Sequence, residues 1–121
     1  MKTFVSICLI FLLLVSCDKM KARKFAGKYR CTVDHDAWIL NQGVIADTTY
    51  IEDVEIKREG KFVIVKGRSI HEDSLRNENT YKEGQYNNYF SVLFKKDSIY
   101  IEMMSGGLGG NSSWTYAGRK K

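Results

Sequence analysis

Apolar and polar side chains alternate along most of the chain from residue 25 onwards. Tyr29, Cys31 and Val33 lie two residues apart with charged or polar residues between them, and Phe90 and Phe94 belong to a second run of this kind. A period of two is the pattern of a β-strand that buries one of its faces. Because no stretch of ten residues shows a convincing helical period, the pattern predicts an all-β domain.

Turn-forming residues divide this pattern into about six to eight short strands. We predict turns at 41–43, 58–61 and 96–97, where Asn, Gly, Lys and Asp interrupt the apolar positions. The glycine-rich segment 105–110 is predicted to be a flexible connection. The polar segment 71–84 is predicted to be mainly an exposed connection that holds one short strand.

A single open sheet would leave an apolar face in water, so the strands are expected to close on themselves or to stack. We predict a small antiparallel up-and-down barrel in which the last strand, around Trp114, pairs with the first, around Tyr29. A β-sandwich is the alternative. Residues 25–118 are expected to form one domain, because a mature chain of about one hundred residues supplies a single core.

The first seventeen residues have the layout of an export signal. Lys2 gives a basic start, 4–15 is an apolar run, and charged residues follow from Asp18 onwards. Crossing about 30 Å of hydrocarbon takes roughly 20 apolar residues, so this run is too short for a transmembrane helix. A basic start, a short apolar run and a small residue before the cleavage point are typical of a secretory signal peptide.

The sequence Leu-Val-Ser-Cys that ends this segment resembles the bacterial lipobox. The resemblance implies that the chain is cut before Cys17, that the Cys17 thiol carries a diacylglyceryl group, and that the new amine is often acylated. Residues 1–16 would then be the cleaved signal and 17–24 a lipidated basic tether. Two or more acyl chains hold a protein stably at a bilayer. We therefore expect a membrane-anchored lipoprotein of the cell envelope, facing the periplasm or the outside.

The formal charge of +5 is concentrated at the two ends of the chain. The tether and a basic tail at 119–121 hold seven Lys or Arg, whereas residues 25–118 hold eleven basic and thirteen acidic side chains. Nucleic-acid-binding domains carry a basic patch on their folded part, so we expect no nucleic-acid partner. The basic tether either meets anionic head groups, at about 1 kcal/mol for each charge, or is simply solvated.

The three cysteines leave no pair for an internal disulfide. Cys8 is removed with the signal, Cys17 carries lipid, and Cys31 is then alone. We expect Cys31 to be a buried, unreactive thiol on the strand between Tyr29 and Val33, because free cysteine is among the most buried residue types.

Candidate catalytic and ligand-binding motifs are weak. The glycines of 106–110 lead into a strand, so they lack the helix start that a phosphate loop needs. The Asp and His side chains of 34–36 and of 71–73 do not converge, because neighbours on a strand point to opposite faces. We therefore expect no metal, no cofactor and no catalytic residue, and we do not expect the protein to be an enzyme.

Taken in order, the motifs of the chain resemble those of small bacterial envelope lipoproteins with lipocalin-like β-barrels. They are the lipobox, Gly-x-Tyr at 27–29, Asp-Thr-Thr-Tyr at 47–50, Asp-Ser-Ile-Tyr at 97–100, and Gly-Gly-Leu-Gly-Gly before an aromatic strand that ends in Gly-Arg-Lys-Lys. The resemblance covers most of residues 17–121. It implies a small β-barrel held at the membrane by its N-terminal lipid.

Two classes of function fit these expectations. The first is a binding or interaction module that presents its loops to another envelope protein or a glycan, since recognition residues concentrate on loops held by a rigid scaffold. Inhibition of a secreted hydrolase is one form of it. The second is a carrier of a small apolar ligand. Its lining residues would be Tyr29, Phe90, Phe94, Trp114 and Tyr116, although the same side chains also suit a filled core.

Overall fold

A computed structural model describes residues 20–76 and 78–121. The predicted signal peptide and the lipidation site at Cys17 lie outside the described residues. Within these residues the chain forms one short helix, a 3-10 turn at Glu72–Ser74 and eight strands. We label them α1 (Met20–Phe25), β1 (Gly27–Ile39), β2 (Gly43–Glu59), β3 (Phe62–Val65), β4 (Arg68–His71), β5 (Thr80–Gln85), β6 (Asn88–Lys95), β7 (Ser98–Gly107) and β8 (Gly110–Lys120).

The strands form one antiparallel sheet in the order β4-β3-β2-β1-β8-β7-β6-β5. Most strands lie beside their neighbours in sequence, and β1 pairs with both β2 and β8. The sheet curls into a half-barrel. The predicted all-β, antiparallel, up-and-down architecture is confirmed, as is the pairing of the last strand with the first. The strands form one curled sheet and not the two stacked sheets of a sandwich.

The inner face of the half-barrel carries a continuous apolar core. Tyr29, Cys31 and Val33 of β1 are fully buried, as their alternation predicted. The neighbouring strands place apolar side chains opposite them, with Val54 of β2 facing Tyr29 and Tyr116 of β8 facing Val33. Opposed residues of antiparallel strands point to the same face of the sheet and contact each other. The register of β1 with its two neighbours therefore assembles the core.

Helix α1 closes the end of the half-barrel at which β1 begins and β8 ends. Ala22 and Phe25 lie one helical turn apart and are both buried. The Phe25 ring stacks on Phe94 with 4.4 Å between ring centroids. The Tyr29 hydroxyl donates a hydrogen bond of 2.9 Å to the Phe25 carbonyl, one of the carbonyls that a helix end leaves unpaired. Burial raises the pKa of Tyr29 to about 12, so this donor keeps its proton.

The segment 71–84 was predicted to be mainly exposed, but two of its described residues are buried. Glu72 is only 4 % exposed, and its Oε2 accepts a hydrogen bond of 3.1 Å from the backbone N–H of Ala22. That amide belongs to the first turn of α1, where the helix itself supplies no acceptor. Leu75 is buried as well, and β5 begins at Thr80. The short strand expected in this segment is confirmed as β5, whereas the prediction missed the burial of Glu72, because its carboxylate serves a helix end that lies far away in sequence.

Two further segments are strands where other structure was predicted. The basic residues of 119–121 mostly belong to β8, which runs to Lys120, and the Lys121 N–H donates to the Lys28 carbonyl at 2.9 Å. Of the glycines of 105–110, Gly106 and Gly107 lie in β7 and Gly110 lies in β8, while Gly109 forms the connecting turn with Leu108. In both cases the ladder with a neighbouring strand outweighs weak local strand propensity.

The two margins of the sheet, β4 and β5, are joined by side chains. Among the described residues no strand pairing links them. Arg68 of β4 forms an ion pair with Glu83 of β5, and its guanidinium lies 4.7 Å from the centroid of the Phe90 ring. The Tyr81 hydroxyl donates to the other Glu83 oxygen at 2.8 Å. This bridge holds the curled sheet together where the backbone ladder ends.

Truncating the aromatic core is expected to destabilise the fold strongly. Phe94→Ala removes a ring packed on Phe25 and Tyr29, and we expect a loss of about 3–5 kcal/mol in the free energy of unfolding. Tyr86→Ala is the matched control, because Tyr86 is 89 % exposed and its loss should change stability by less than about 0.5 kcal/mol. Urea unfolding followed by tryptophan fluorescence measures both. Equal midpoints for the two variants would contradict this core.

Candidate functional site

Four of the five side chains predicted to line a ligand cavity are packed in the core. Tyr29, Phe90, Phe94 and Tyr116 are almost fully buried. Phe94 contacts Phe25 at 4.4 Å and Tyr29 at 6.4 Å between ring centroids. These rings therefore occupy the space that a ligand of a barrel interior would need.

The fifth predicted lining residue, Trp114, is half-buried. Its ring stacks on His35, with 4.5 Å between centroids and an interplanar angle of 6°. The Nε2 atom of His35 is buried and has no hydrogen-bond partner among the residues that the structure describes. Met103 lies opposite Trp114 on β7. The structure thus brings Trp114 together with His35 and Met103, at the margin of the core.

Two ion pairs lie above the core on the inner side of the sheet. The Lys66 ammonium, in the β3–β4 turn, donates a hydrogen bond of 3.1 Å to the Glu52 carboxylate of β2. The same ammonium lies 4.7 Å from the centroid of the Tyr116 ring. Burial lowers the pKa of Lys66, but its interactions with Glu52 and Tyr116 together outweigh burial, so the pKa is raised. The Lys66–Glu52 and Arg68–Glu83 ion pairs therefore place charged groups over the aromatic core.

Residues with reactive or metal-binding side chains are kept apart. Cys31 is buried, and burial raises the pKa of its thiol, which keeps it protonated and unreactive. His35 lies on the inner face, whereas Asp34 and Asp36 are exposed on the outer face. Within residues 20–76 and 78–121, no three His, Cys, Asp or Glu side chains are grouped to hold a metal ion.

Large apolar side chains are exposed at the end of the sheet opposite α1. The turns at this end connect β1 to β2, β5 to β6 and β7 to β8. The first and third turns are linked by a hydrogen bond of 2.9 Å from the Leu40 N–H to the Gly109 carbonyl. Leu108 is 100 % exposed and Val44 is 71 % exposed. We call this the hairpin-end surface; it consists of Trp38, Ile39, Leu40, Val44, Ile45, Tyr86 and Leu108.

A β-bulge accounts for part of this exposure. Ala37 pairs with Ala46 and Trp38 pairs with Val44, so Ile45 is an extra residue on β2. A bulge bends its strand and redirects the side chains that follow. Ala37 is still buried on the inner face, whereas Trp38, Val44 and Ile45 are exposed.

The two ends of the half-barrel differ in chemistry. At the α1 end, the β2–β3 turn holds Gly60 and Lys61 and the β6–β7 turn holds Lys96 and Asp97. At the hairpin end, each turn carries a large exposed apolar or aromatic residue. The sequence analysis did not identify this surface. The available indication was the unbroken apolar run 37–40 directly before the turn at 41–43, with a second apolar pair directly after it.

Acidic side chains lie beside the hairpin-end surface. Asp36 of β1 is paired with Asp47 of β2. Desolvation and, next, the hydrogen bond between the two carboxyl groups raise the pKa of Asp36. Asp53, further along β2, has its pKa lowered mainly by a hydrogen bond from Lys121. Fewer basic side chains therefore neutralise the carboxylates near the hairpin end than neutralise those near α1.

Comparison with known proteins assigns no family. The chain matches none of the protein-family models, curated proteins or solved structures with which it was compared. None of the helices in the described part of the chain is long and apolar enough to cross a membrane. The argument for function therefore rests on the surfaces of the molecule.

Substitutions of Asp47 and of Asp53, both on β2, are expected to change the stability of the fold with opposite signs. Asp36 has a raised pKa in the folded protein, so its pairing with Asp47 opposes folding at neutral pH and stops doing so once Asp36 is protonated. Asp47→Asn should therefore raise the Tm at pH 7, and the gain should fade as the pH falls through the range where Asp36 binds its proton. Thermal unfolding at several pH values measures this.

Asp53→Asn is the control with the reverse expectation. The pKa of Asp53 is lowered in the fold, so its charge stabilises the protein above the ordinary Asp range and loses this effect in acid. The substitution should lower the Tm at pH 7 and change it less at acid pH. The same sign for both variants at pH 7 would contradict the charge arrangement.

Proposed function

We propose that the protein is a lipid-anchored binding module of the bacterial cell envelope that holds another protein through its hairpin-end surface. The observation that carries this proposal is the difference between the two ends of the sheet: polar turns beside α1 and exposed apolar residues at the opposite end. Large apolar side chains that are exposed together at one end of a molecule are typical of sites of interaction.

The position of the hairpin-end surface relative to the predicted anchor supports this proposal. Cys17 precedes the first strand residue, Gly27, by ten positions. The strand β1 then runs from Gly27 to Ile39, which spans about 40 Å at the usual rise of a strand. A chain held at the bilayer through Cys17 would therefore present its hairpin end away from the membrane to which it is anchored.

Charge favours a protein partner over a second membrane surface. Asp36 and Asp47 lie beside the hairpin-end surface, and anionic head groups repel carboxylates while they attract basic segments. Exposed aromatic and aliphatic residues next to charged ones are the composition of protein interfaces, in which an apolar centre is surrounded by a polar rim. An envelope protein, a secreted hydrolase among them, fits this surface.

The carrier of a small apolar ligand has less support. Of its five predicted lining residues, Tyr29, Phe90, Phe94 and Tyr116 are packed in the core. Trp114 alone is in part accessible, and it is stacked on His35. The packing of these residues agrees with the interpretation that they stabilise the fold.

Site-specific photo-crosslinking in cells tests the proposed module. A photoreactive amino acid at Leu108 of the full-length chain is expected to give a defined crosslinked species in the membrane fraction. The same amino acid at Lys96, an exposed position in a turn at the α1 end, should give none. Leu40→Ser in the Leu108 variant should reduce the crosslinked fraction severalfold, because apolar area at the centre of an interface supplies much of its affinity.

The anchor is tested in the same cells. Cys17→Ser removes the predicted lipidation site and should move the protein out of the membrane fraction. Continued membrane association of Cys17→Ser would contradict the anchor. Equal crosslinking from Leu108 and Lys96, or crosslinking unchanged by Leu40→Ser, would contradict the binding surface.

A further inference from the structure

Most of strand β2 has a free backbone edge. On one side it pairs with β1 along its length. On the other side β3 pairs only with Lys57, Arg58 and Glu59, so positions 43–56 have no strand partner there among the described residues. A long free edge presents a row of unpaired N–H and C=O groups that is able to template another strand. The other two margins, β4 and β5, are much shorter.

The hairpin that follows fixes which backbone groups face this edge. Glu59 and Phe62 flank the two-residue turn between β2 and β3, and in such a turn the flanking residues hydrogen-bond to each other. The backbone groups of Glu59 therefore point towards β3. Because these groups alternate along a strand, those of Glu55, Ile51 and Thr49 point to the same side, where no strand lies beside them.

The side chains along this edge suit an added strand. The segment is rich in good strand formers, with Thr48, Thr49, Tyr50 and Ile51 in succession. Ile51 is 70 % exposed, so its apolar surface is free to pair with a residue of an added strand. A central apolar position on the outer face is thus available to a partner.

The charge along the edge is negative and only partly compensated. Glu52 is paired with Lys66, and Asp53 is paired with Arg30 and Lys121. Asp47 and Glu55 form no ion pair within the residues that the structure describes. Asp47, Thr49, Ile51, Asp53 and Glu55 share the outer face of β2, so an added strand would meet Ile51 at the centre of this row and an acidic position at each end.

The same charges oppose pairing between two copies of this chain. An antiparallel pair of β2 strands would bring the four acidic residues of one copy near the four of the other. Like charges opposed across strands are destabilising, and charge on an edge strand is a common protection against self-association. A cationic strand meets no such opposition and relieves the repulsion between Asp36 and Asp47.

We propose that β2 binds an extended, basic segment of a partner protein as an additional strand along positions 43–56. In this segment Lys or Arg residues alternate with uncharged strand formers and flank an apolar residue that pairs with Ile51. The inference rests on the proposed function, since it gives the chemistry of the partner that the module holds. Main-chain hydrogen bonds supply the affinity in this mode of recognition, and the side chains of alternate residues supply the specificity.

Synthetic peptides test the proposal with the folded protein. The probe is a nine-residue, end-capped, fluorescent peptide with Ile at its centre, Lys at its other odd positions and Thr at its even positions. We expect saturable binding by fluorescence anisotropy. Replacing every Lys by Glu should weaken binding by at least about tenfold, because the edge is acidic.

Backbone methylation separates strand addition from simple charge attraction. Two isomers of the Lys peptide carry N-methyl groups either on the odd or on the even residues. An added strand turns only one set of N–H groups towards β2, so one isomer should lose binding and the other should keep it. Binding by both isomers would show attraction without strand pairing and would overturn the proposal, as would loss of binding by both.

Thr49 provides a matched pair of protein variants. Its N–H faces the free edge, so Thr49→Pro should block the added strand while it leaves the β1–β2 ladder intact, since proline is tolerated at such edge positions. Thr49→Ala should bind the peptide as the parent protein does. Equal binding by a folded Thr49→Pro would overturn the proposal; if that variant fails to fold, the methylated isomers decide.

The outcomes distinguish this inference from the proposed function. Absence of peptide binding with crosslinking from Leu108 retained would overturn the strand addition and leave the module standing. Peptide binding with no crosslinking would support the edge site and contradict the hairpin-end surface. Concentration-dependent dimers in sedimentation that Thr49→Pro abolishes would assign the edge to a second copy and overturn the proposal.

Discussion

The pairing of β1 with both β2 and β8 is the constraint on which the rest of the structure depends. It places the first and last strands side by side and so brings Tyr29, Val33 and Tyr116 onto one face. It also makes β4 and β5 the margins of the sheet. Because β3 is only four residues long, the longer strand β2 is left with a free edge. The core and the proposed binding edge thus follow from one topology.

The same topology gives the half-barrel two unlike ends. Helix α1 closes one end through the Phe25 ring, the Tyr29 hydrogen bond and the Glu72 carboxylate. At the other end the hairpins reach past the core, so the apolar residues of their turns are not covered by side chains of the described residues. Buried contacts made by α1 are therefore found at one end of the half-barrel, and exposed apolar side chains are found at the other.

The sequence was sufficient for the features that depend on local periodicity. Alternation identified Tyr29, Cys31 and Val33 as core residues, and turn residues separated most strands. Features set by long-range pairing were not accessible in this way. The bulge at Ile45 places Val44 opposite Trp38, which follows only from the register of β2 with β1, and the free edge of β2 depends on where β3 ends. The hydrophobic pattern of a single strand does not indicate on which side that strand lacks a neighbouring strand.

Residue-resolved amide hydrogen exchange along β2 tests the central claim most directly. If one edge of β2 is free, the amides of Thr48, Tyr50 and Val54, which face β1, should be protected, and those of Thr49, Ile51 and Glu55 should exchange rapidly. Such alternation distinguishes a paired side from an open side within a single strand. Uniform protection from 47 to 56 would show that the edge is already covered and would contradict this account.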